Sequence, residues 1–509
     1  MSVARRMHML SKTCSRRRFF QYGALSLGAV AGSAVLAACG ATPAPAATKA
    51  PEAATPASAG QAATQPPAPA ATEAVATAAP AKAAAPGEVR FAMWDWYAYT
   101  PGIKWDEWNQ KTAFPKFNEA NPDIKVSWEP MDDFTKVLTQ MSAGTAADVM
   151  SVWDPAMTVW AEKGQLLDLQ PFIDKDIPNA DSLYIPLAWQ QMWNKFKNMR
   201  MGMLADLDIT SIYYNKQAFE EAAVPLPTKD WTTDDYTAAA TKLTKKDSSG
   251  NVTRWGAEIR PAFWEGYANY ILAFGGQVRD DETQMKCLLD SQDAMDAIEW
   301  MRKGMFETNC FAQPNQMSAS GLPSTWTGAV PAGILAMAER SADQFFSMAD
   351  GMKDIPWDIA HIPQGPKGRS CMGLPDQWVI YKGVIDRNNK DAAWTFMKFL
   401  TGEWYQNQIV NVAARIPGLL SAVANWATGL RKAEPRLEKV HLETLTEQLE
   451  MGYPRGDQMF RYQAVAAEII DPAMQQIFTE GKADAKLMKE IAPKVTAAQQ
   501  KAASEAGGA

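Results

Sequence analysis

Glu88-Val89-Arg90-Phe91-Ala92-Met93-Trp94, Ile124-Lys125-Val126-Ser127-Trp128 and Asp148-Val149-Met150-Ser151-Val152-Trp153 are three short runs rich in β-branched and aromatic residues. Two helix-patterned segments separate them: Glu107 to Ala120 is amphipathic and stops at Asn121-Pro122, and Phe134 to Ser142 ends near Gly144. The pattern predicts strand, helix, strand, helix, strand. That alternation argues for βαβ units and a parallel sheet, because successive strands running the same way need a crossover between them. In such sheets ligands gather beyond the carboxyl ends of the strands. Trp94, Trp96 and Tyr97 fall there after the first strand, and Trp153 and Asp154 after the third.

Working outward, Ile212-Tyr213-Tyr214-Asn215 reads as a strand entering a helix, and Thr232 or Thr233 as the cap of the next helix. The last hundred residues read as mostly helical, and no internal repeat is visible. The chain has 509 residues, 47% hydrophobic and 21% charged, enough apolar material for two or three domains. Its net charge is −7, and residues 1–38 hold six basic residues and no acidic one, so the remainder carries −13. An acidic body of that kind is a poor nucleic-acid binder. The three histidines, His8, His361 and His441, leave no room for a His-rich metal site or an HExxH helix. No GxxxxGK, GxGxxG or GxSxG is present, which disfavours P-loop, dinucleotide and α/β-hydrolase chemistry. No cofactor or metal is expected.

The amino-terminal region carries its own signals. Ser15-Arg16-Arg17-Arg18-Phe19-Phe20-Gln21, a small-residue apolar stretch and Leu36-Ala37-Ala38-Cys39-Gly40 follow one another. The first piece resembles a twin-arginine export signal and the last a bacterial lipoprotein box, so residues 1–38 read as a signal peptide and Cys39 as the lipidated residue. A membrane-spanning helix is the alternative, although glycine, serine and alanine dilute the stretch. Residues 39–87 form an Ala/Pro/Thr-rich tether: Gly40 to Gly87 holds 22 alanines and nine prolines in 48 residues, too little apolar bulk to offset its ordering entropy. The expected location is extracytoplasmic, anchored by lipid to the cell membrane. Beyond Cys14 and Cys39, the three thiols of Cys287, Cys310 and Cys371 allow at most one internal disulfide.

Three further stretches carry a family resemblance. One is Gly144-Thr145-Ala146-Ala147-Asp148-Val149-Met150, followed by Trp153-Asp154 and Ala161 to Leu169. Another is Tyr213-Tyr214-Asn215-Lys216 with Phe219, Pro225, Pro227, Thr228 and Trp231. The last is Ala360-His361-Ile362-Pro363 to Gly373, then Ala393 to Leu400 and Ile416-Pro417. Their order and spacing over most of residues 88–509 resemble the extracellular solute-binding proteins of ABC importers, the family that includes the maltodextrin-binding protein. The resemblance implies an α/β fold of the type II periplasmic-binding-protein kind, two lobes joined by a hinge of three crossing segments and closing over a solute. The crossings are expected near Asp206 to Ser211, Ile359 to Pro366 and Arg415 to Leu419. Lobe one then comprises 88–207 and 364–416, and lobe two 208–363 with most of the helices in 417–509. The chain exceeds the more compact members, with the surplus expected in Thr100 to Trp108 and Leu183 to Arg200.

Nineteen tryptophans suit a sugar site, since flat rings stack on sugar C–H faces while hydroxyls need planar donors and acceptors from Asp, Asn, Glu and Arg. Core packing is the plainer use of any one ring. The resemblance places a sugar-binding carboxylate at Asp154, which could instead cap a helix, and another at Asp208 on the first crossing, where a hinge hydrogen bond is the alternative. Asp133, after the second strand, either reaches the ligand or lies in a solvated loop. Arg260, Phe263 and Trp264 follow a strand where the family has an aromatic platform; Trp378 lies on the return strand, and Tyr453 resembles a late aromatic contact.

The expectation is therefore a monomeric, non-catalytic receptor that presents a sugar or oligosaccharide to a permease and its ATPase. A cationic or peptide ligand would also suit the acidic balance. A secreted glycoside hydrolase would need two carboxylates flanking the scissile bond, and no acidic pair here sits in a recognisable catalytic motif.

Overall fold

The computed structural model describes residues 87–94, 104–153, 156–263, 266–322 and 328–505. The signal segment, Cys39 and the tether up to residue 86 lie outside the described residues. The first three strands are β1 (Glu88–Trp94), β2 (Lys125–Met131) and β3 (Val149–Trp153). β1 pairs in parallel with both others, Phe91 opposite Trp128 on one side and Val149 on the other. The helix before β2 starts at Trp105, two residues earlier than its amphipathic pattern predicts, and contains a π-helical turn, Asn109–Ala113. That turn carries a buried Asn109, whose side chain donates to Trp105 O at 2.9 Å and accepts from the Tyr405 hydroxyl at 2.9 Å. β2 runs through Pro130 to Met131, which a sheet edge permits because no ladder bond needs the missing N–H.

Two short strands, β4 (Trp193–Asn194) and β5 (Met199–Arg200), form an antiparallel ribbon in the stretch expected to hold surplus chain. The longest strand follows. β6 covers Met203–Asn215, every residue of it buried. Only its last four residues read as a strand in the sequence, because Asp206 and Asp208 interrupt the apolar pattern of its first half. β7 (Lys245–Lys246), β8 (Val252–Glu258), β9 (Leu335–Ser341) and β10 (Trp357–Ala360) come next, then β11 (Cys371–Ile380), β12 (Ile416–Pro417) and β13 (Pro454–Arg455).

All but the ribbon belong to an 11-stranded sheet with the path β2-β1-β3-β11-β6-β9-β8-β7; β10 and β12 also pair with β6, and β13 with β11. The partners of β6 change midway along it. Met203 to Ile209 pair with β11, and Leu207 and Asp206 with β12, whereas Thr210 to Tyr214 pair with β9 and Ile212 to Asn215 with β10. β6 is thus shared by two halves of the sheet, the two-lobed α/β arrangement that the resemblance implies.

Each half has its own packed interior. In the first, Phe91 meets Phe114, Trp128, Trp378 and Phe396 edge-on at centroid distances of 5.4 to 6.2 Å. In the second, the helix Gln292–Phe306 brings Trp300 to 5.0 Å from Tyr270 and 5.4 Å from Phe311. The helix Thr233–Leu243 starts in a capping box in which Thr232 and Asp235 each bond the other's backbone N–H, and this decides between the two candidate threonines. Cys287, Cys310 and Cys371 are buried free thiols, and burial raises the pKa of each. No helix among the described residues is long and apolar enough to cross a membrane.

Gly256 in β8 sits where a Cβ would lie 1.8 Å from the Ala240 carbonyl oxygen of the covering helix. Backbone cannot step aside as a flexible side chain can. Gly256→Ala should therefore destabilise the protein by about 3 kcal/mol, read as a lower urea midpoint at unchanged m.

Candidate functional site

The register fixes where the strands end. β3 lies against β11 with Trp153 opposite Asp376, and Asp376 lies opposite Asp206 of β6, so the carboxyl ends of the parallel strands β1, β2 and β3 stop near the level of Asp206, shortly before β6 changes partners after Ile209. From the other half, β9 ends at Ser341 opposite Thr210, and β8 runs parallel to it with Glu258 opposite Ala338. Two sets of parallel strands therefore present their carboxyl ends to one region, the ligand-binding end of an α/β sheet.

Several sequence candidates fall in that region. Trp94 is the last residue of β1. Trp153 ends β3, half-buried, with its ring 5.5 Å from Phe134. Arg260 and Phe263 follow β8, Arg260 bridging Gly266 and Phe263 meeting Tyr267 edge-on at 5.8 Å. Gly266 permits that turn, because a Cβ there would lie 2.1 Å from Arg260 O. Half-buried Tyr453 stands beside the start of β11: its carbonyl accepts from Cys371 N at 3.1 Å, and its ring lies 5.4 Å from the Arg369 guanidinium. Trp96, Tyr97, Asp154 and Trp264 lie outside the described residues.

Other candidates are engaged elsewhere. Asp133 caps the helix Phe134–Ser142, accepting from Thr135 N at 2.6 Å and Lys136 N at 3.1 Å. Trp378 is 1% exposed, with its ring 5.6 Å from Phe91 and 6.1 Å from Tyr405, which assigns it to the core of the first half instead of the cleft. Asp208 is buried in β6, where it accepts from Ala342 N at 3.1 Å and lies 3.6 Å from an Arg415 nitrogen, the hinge role weighed as its alternative.

The cluster around Arg415 joins Asp208 to residues outside the sequence candidates for the site. Its guanidinium, 2% exposed, contacts Asp376 of β11, Asp206 of β6 at 3.3 Å and Asp208 at 3.6 Å. Arg415 directly precedes β12, so one side chain ties β12 to β6 and β11 just before β6 changes partners. Three carboxylates around one cation leave an excess of negative charge, and burial followed by the neighbouring Asp376 raises the pKa of Asp206 above the ordinary carboxylate range. The spacing of Asp206 and Asp208 was a usable signal, because residues two apart in a strand share a face.

Across the crossing, Glu339 of β9 is wholly buried and accepts from Thr210 Oγ1 and Asn269 Nδ2, each at 2.8 Å. Thr210 Oγ1 in turn accepts from Met372 N at 3.1 Å, linking β9, β6 and β11. Burial pushes Glu339 up to about 7 against these hydrogen bonds and the nearby Arg340. A cavity of about 370 Å³ lies on the second half, lined by Leu272, Gln277, Ser291, Asp293 and Arg455 among others, and includes none of the sequence candidates. Strand topology, not cavity size, locates the site.

A fold of this kind, with its crossing strands and opposed strand ends, defines a solute-binding protein. Residues 104–407 match the bacterial extracellular solute-binding proteins, and the chain belongs to that family. A binding protein of Brucella abortus is 24% identical over 325 residues, 62% of this chain and 72% of the relative. Among solved structures, an ABC substrate-binding protein of Listeria monocytogenes in complex with cycloalternan has a TM-score of 0.65 at 21% identity, covering 82% of this chain and 98% of its own. A solute-binding protein of Thermotoga lettingae bound with α-D-tagatose has a TM-score of 0.64 at 18% identity, covering 81% and 99%. The maltodextrin-binding domain of Bdellovibrio bacteriovorus, bound to maltotriose, has a TM-score of 0.60 at 16% identity, covering 81% and 100%.

Removing the cation from the crossing leaves buried carboxylates facing one another, so Arg415→Met should cost about 3–5 kcal/mol in urea denaturation. Asp206→Asn, which replaces a carboxyl that already favours its proton, should cost far less. Glu339 holds in the folded state a proton that the unfolded chain releases near its ordinary value of 4.5. Its contribution to stability is therefore complete below that pH and declines as the pH rises through about 7. Glu339→Gln should flatten this part of the stability profile, measured by denaturation at a series of pH values.

Proposed function

We propose that the protein is the receptor of an ABC import system, taking up a sugar or oligosaccharide outside the cell and handing it to a permease and its ATPase. The observation that carries the reading is the meeting of two sets of strand ends at the crossing, with Trp153 on one side and Arg260 and Phe263 on the other. Flat rings beside a planar cation are the groups that a sugar's C–H faces and hydroxyls require. The structural relatives hold cycloalternan, tagatose and maltotriose, and three carbohydrates of different size in one fold support the same ligand class here.

In this reading residues 88–207 with 364–416 are lobe one and 208–363 with most of 417–509 are lobe two. The cleft binds through Trp94, Trp96, Tyr97, Trp153 and Asp154 from one lobe and Arg260, Phe263, Trp264 and Tyr453 from the other. Capture needs hydrogen bonds and a hinge, and no catalysis. Lipid on Cys39 holds the receptor at the membrane, and the tether lets it work as a monomer at a distance from its anchor.

Thermal melting of the purified protein against a panel of mono- and oligosaccharides, polyamines and peptides tests the reading. A solute that binds only the folded state at a hundredfold excess over its Kd adds roughly 2.7 kcal/mol. The expected result is a higher Tm with one class of oligosaccharide, recovered uncleaved. A shift confined to polyamines or peptides would replace the ligand class, and hydrolysis of a glycan would overturn the receptor assignment.

A further inference from the structure

Outside the crossing strands, the two halves meet at Arg461. Its Nε donates to Glu162 Oε1 at 2.6 Å, and its guanidinium carbon lies 4.0 Å from the centroid of the Phe196 ring. The two charged side chains are only 13% and 8% exposed, so the pair is screened far less than a surface ion pair. Close by, Lys195 Nζ donates to Glu282 O at 2.8 Å and to Asp281 O.

The two sides of this contact belong to different halves of the protein. Glu162 ends the helix Ala156–Glu162, which follows β3 directly, and Lys195 and Phe196 form the turn between β4 and β5. Arg461 is fastened to the other half. Its backbone N–H donates to Gln284 O at 2.9 Å, Gln458 Oε1 accepts from Val278 N at 3.0 Å, and Arg279 Nε donates to Met459 O at 2.9 Å. The neighbouring Tyr462 exchanges two hydrogen bonds with Gln499 of the helix Met488–Glu505. A fixed arginine on one half thus reaches into a fixed acid and ring on the other.

We propose that Arg461, Glu162 and Phe196 form a noncovalent clasp that holds the halves together and sets the fraction of ligand-free protein in the closed arrangement. The inference rests on the two-lobed hinge reading. The clasp touches no residue assigned to the ligand, and it acts on affinity through population, because an apparent Kd scales inversely with the competent fraction. A planar guanidinium suits the role, since it stacks on a ring with its face while donating from its edge. Lysine would supply only the charge.

Small-angle X-ray scattering of the ligand-free protein tests it without any solute. Arg461→Ala and, independently, Phe196→Ala should raise the radius of gyration. The exchange Glu162→Arg with Arg461→Glu should return it toward the native value, which a merely structural loss would not allow. Arg461→Lys should fall between native and alanine. Circular dichroism confirms that each variant is folded, and Glu162→Gln replaces any that is not. Folded Arg461→Ala and Phe196→Ala proteins with the native radius would overturn the clasp even if a sugar binds. Conversely, a larger radius restored by the charge exchange would uphold it even if the solute panel shows no binding, so failure of the clasp and failure of the receptor reading are separately visible. For a panel solute that binds, Arg461→Ala should weaken apparent affinity about tenfold.

Discussion

Arg415 with Asp206, Asp208 and Asp376 is the interaction on which the remaining architecture depends. One guanidinium, immediately before β12, collects carboxylates from β6 and β11, so three strands are held by a single buried charge group just before β6 passes into the second half. Buried ion clusters of this kind are poor sources of net stability, because desolvation consumes most of the Coulombic gain. Their strength is geometric. A guanidinium donates in a fixed plane, so the three strands can sit in few relative positions that satisfy it.

Burial separates this group from the contact at Arg461, although both are arginine–carboxylate pairs. Arg415 is 2% exposed and lies within the sheet, while Arg461 is 13% exposed and joins elements on either side of it. The first cannot part without leaving charges in a low-dielectric interior. The second joins elements that no strand pairing connects.

Much of the first half was legible from periodicity. β1, β2, β3 and the intervening helices announced themselves through strand-like runs, an Asn-Pro stop and a helix ending near Gly144; the parallel pairing of β1 with β2 and β3 followed from their alternation, but the sheet as a whole is mixed, because β11 runs antiparallel to both β3 and β6. The first half of β6 did not, because Asp206 and Asp208 resemble loop residues until Arg415, 209 positions beyond Asp206, is brought beside them. The candidate site divides along the same line. Trp153, Arg260 and Phe263 lie at or just after strand ends, as their sequence context implied. Trp378 and Asp133 misdirect because an aromatic or an acid near a strand end looks the same in sequence whether it faces a ligand, fills a core or caps a helix; only the packing of Phe91 and the backbone of Thr135 separate these uses. Arg369 and Glu339 carry no local signal at all, since their neighbours come from distant parts of the chain.

The sharing of β6 has a consequence for how the molecule comes together. Its first half completes one part of the sheet and its second half the other, and its partner β11 also closes the first part by pairing Ile380 with Val149, residues more than two hundred positions apart. Neither part can finish its sheet until chain from far downstream has returned. Such non-local closure slows folding and leaves unpaired edges exposed while it proceeds. The two halves therefore assemble as one, with no stage at which the amino-terminal half stands complete while the rest of the chain is still being made.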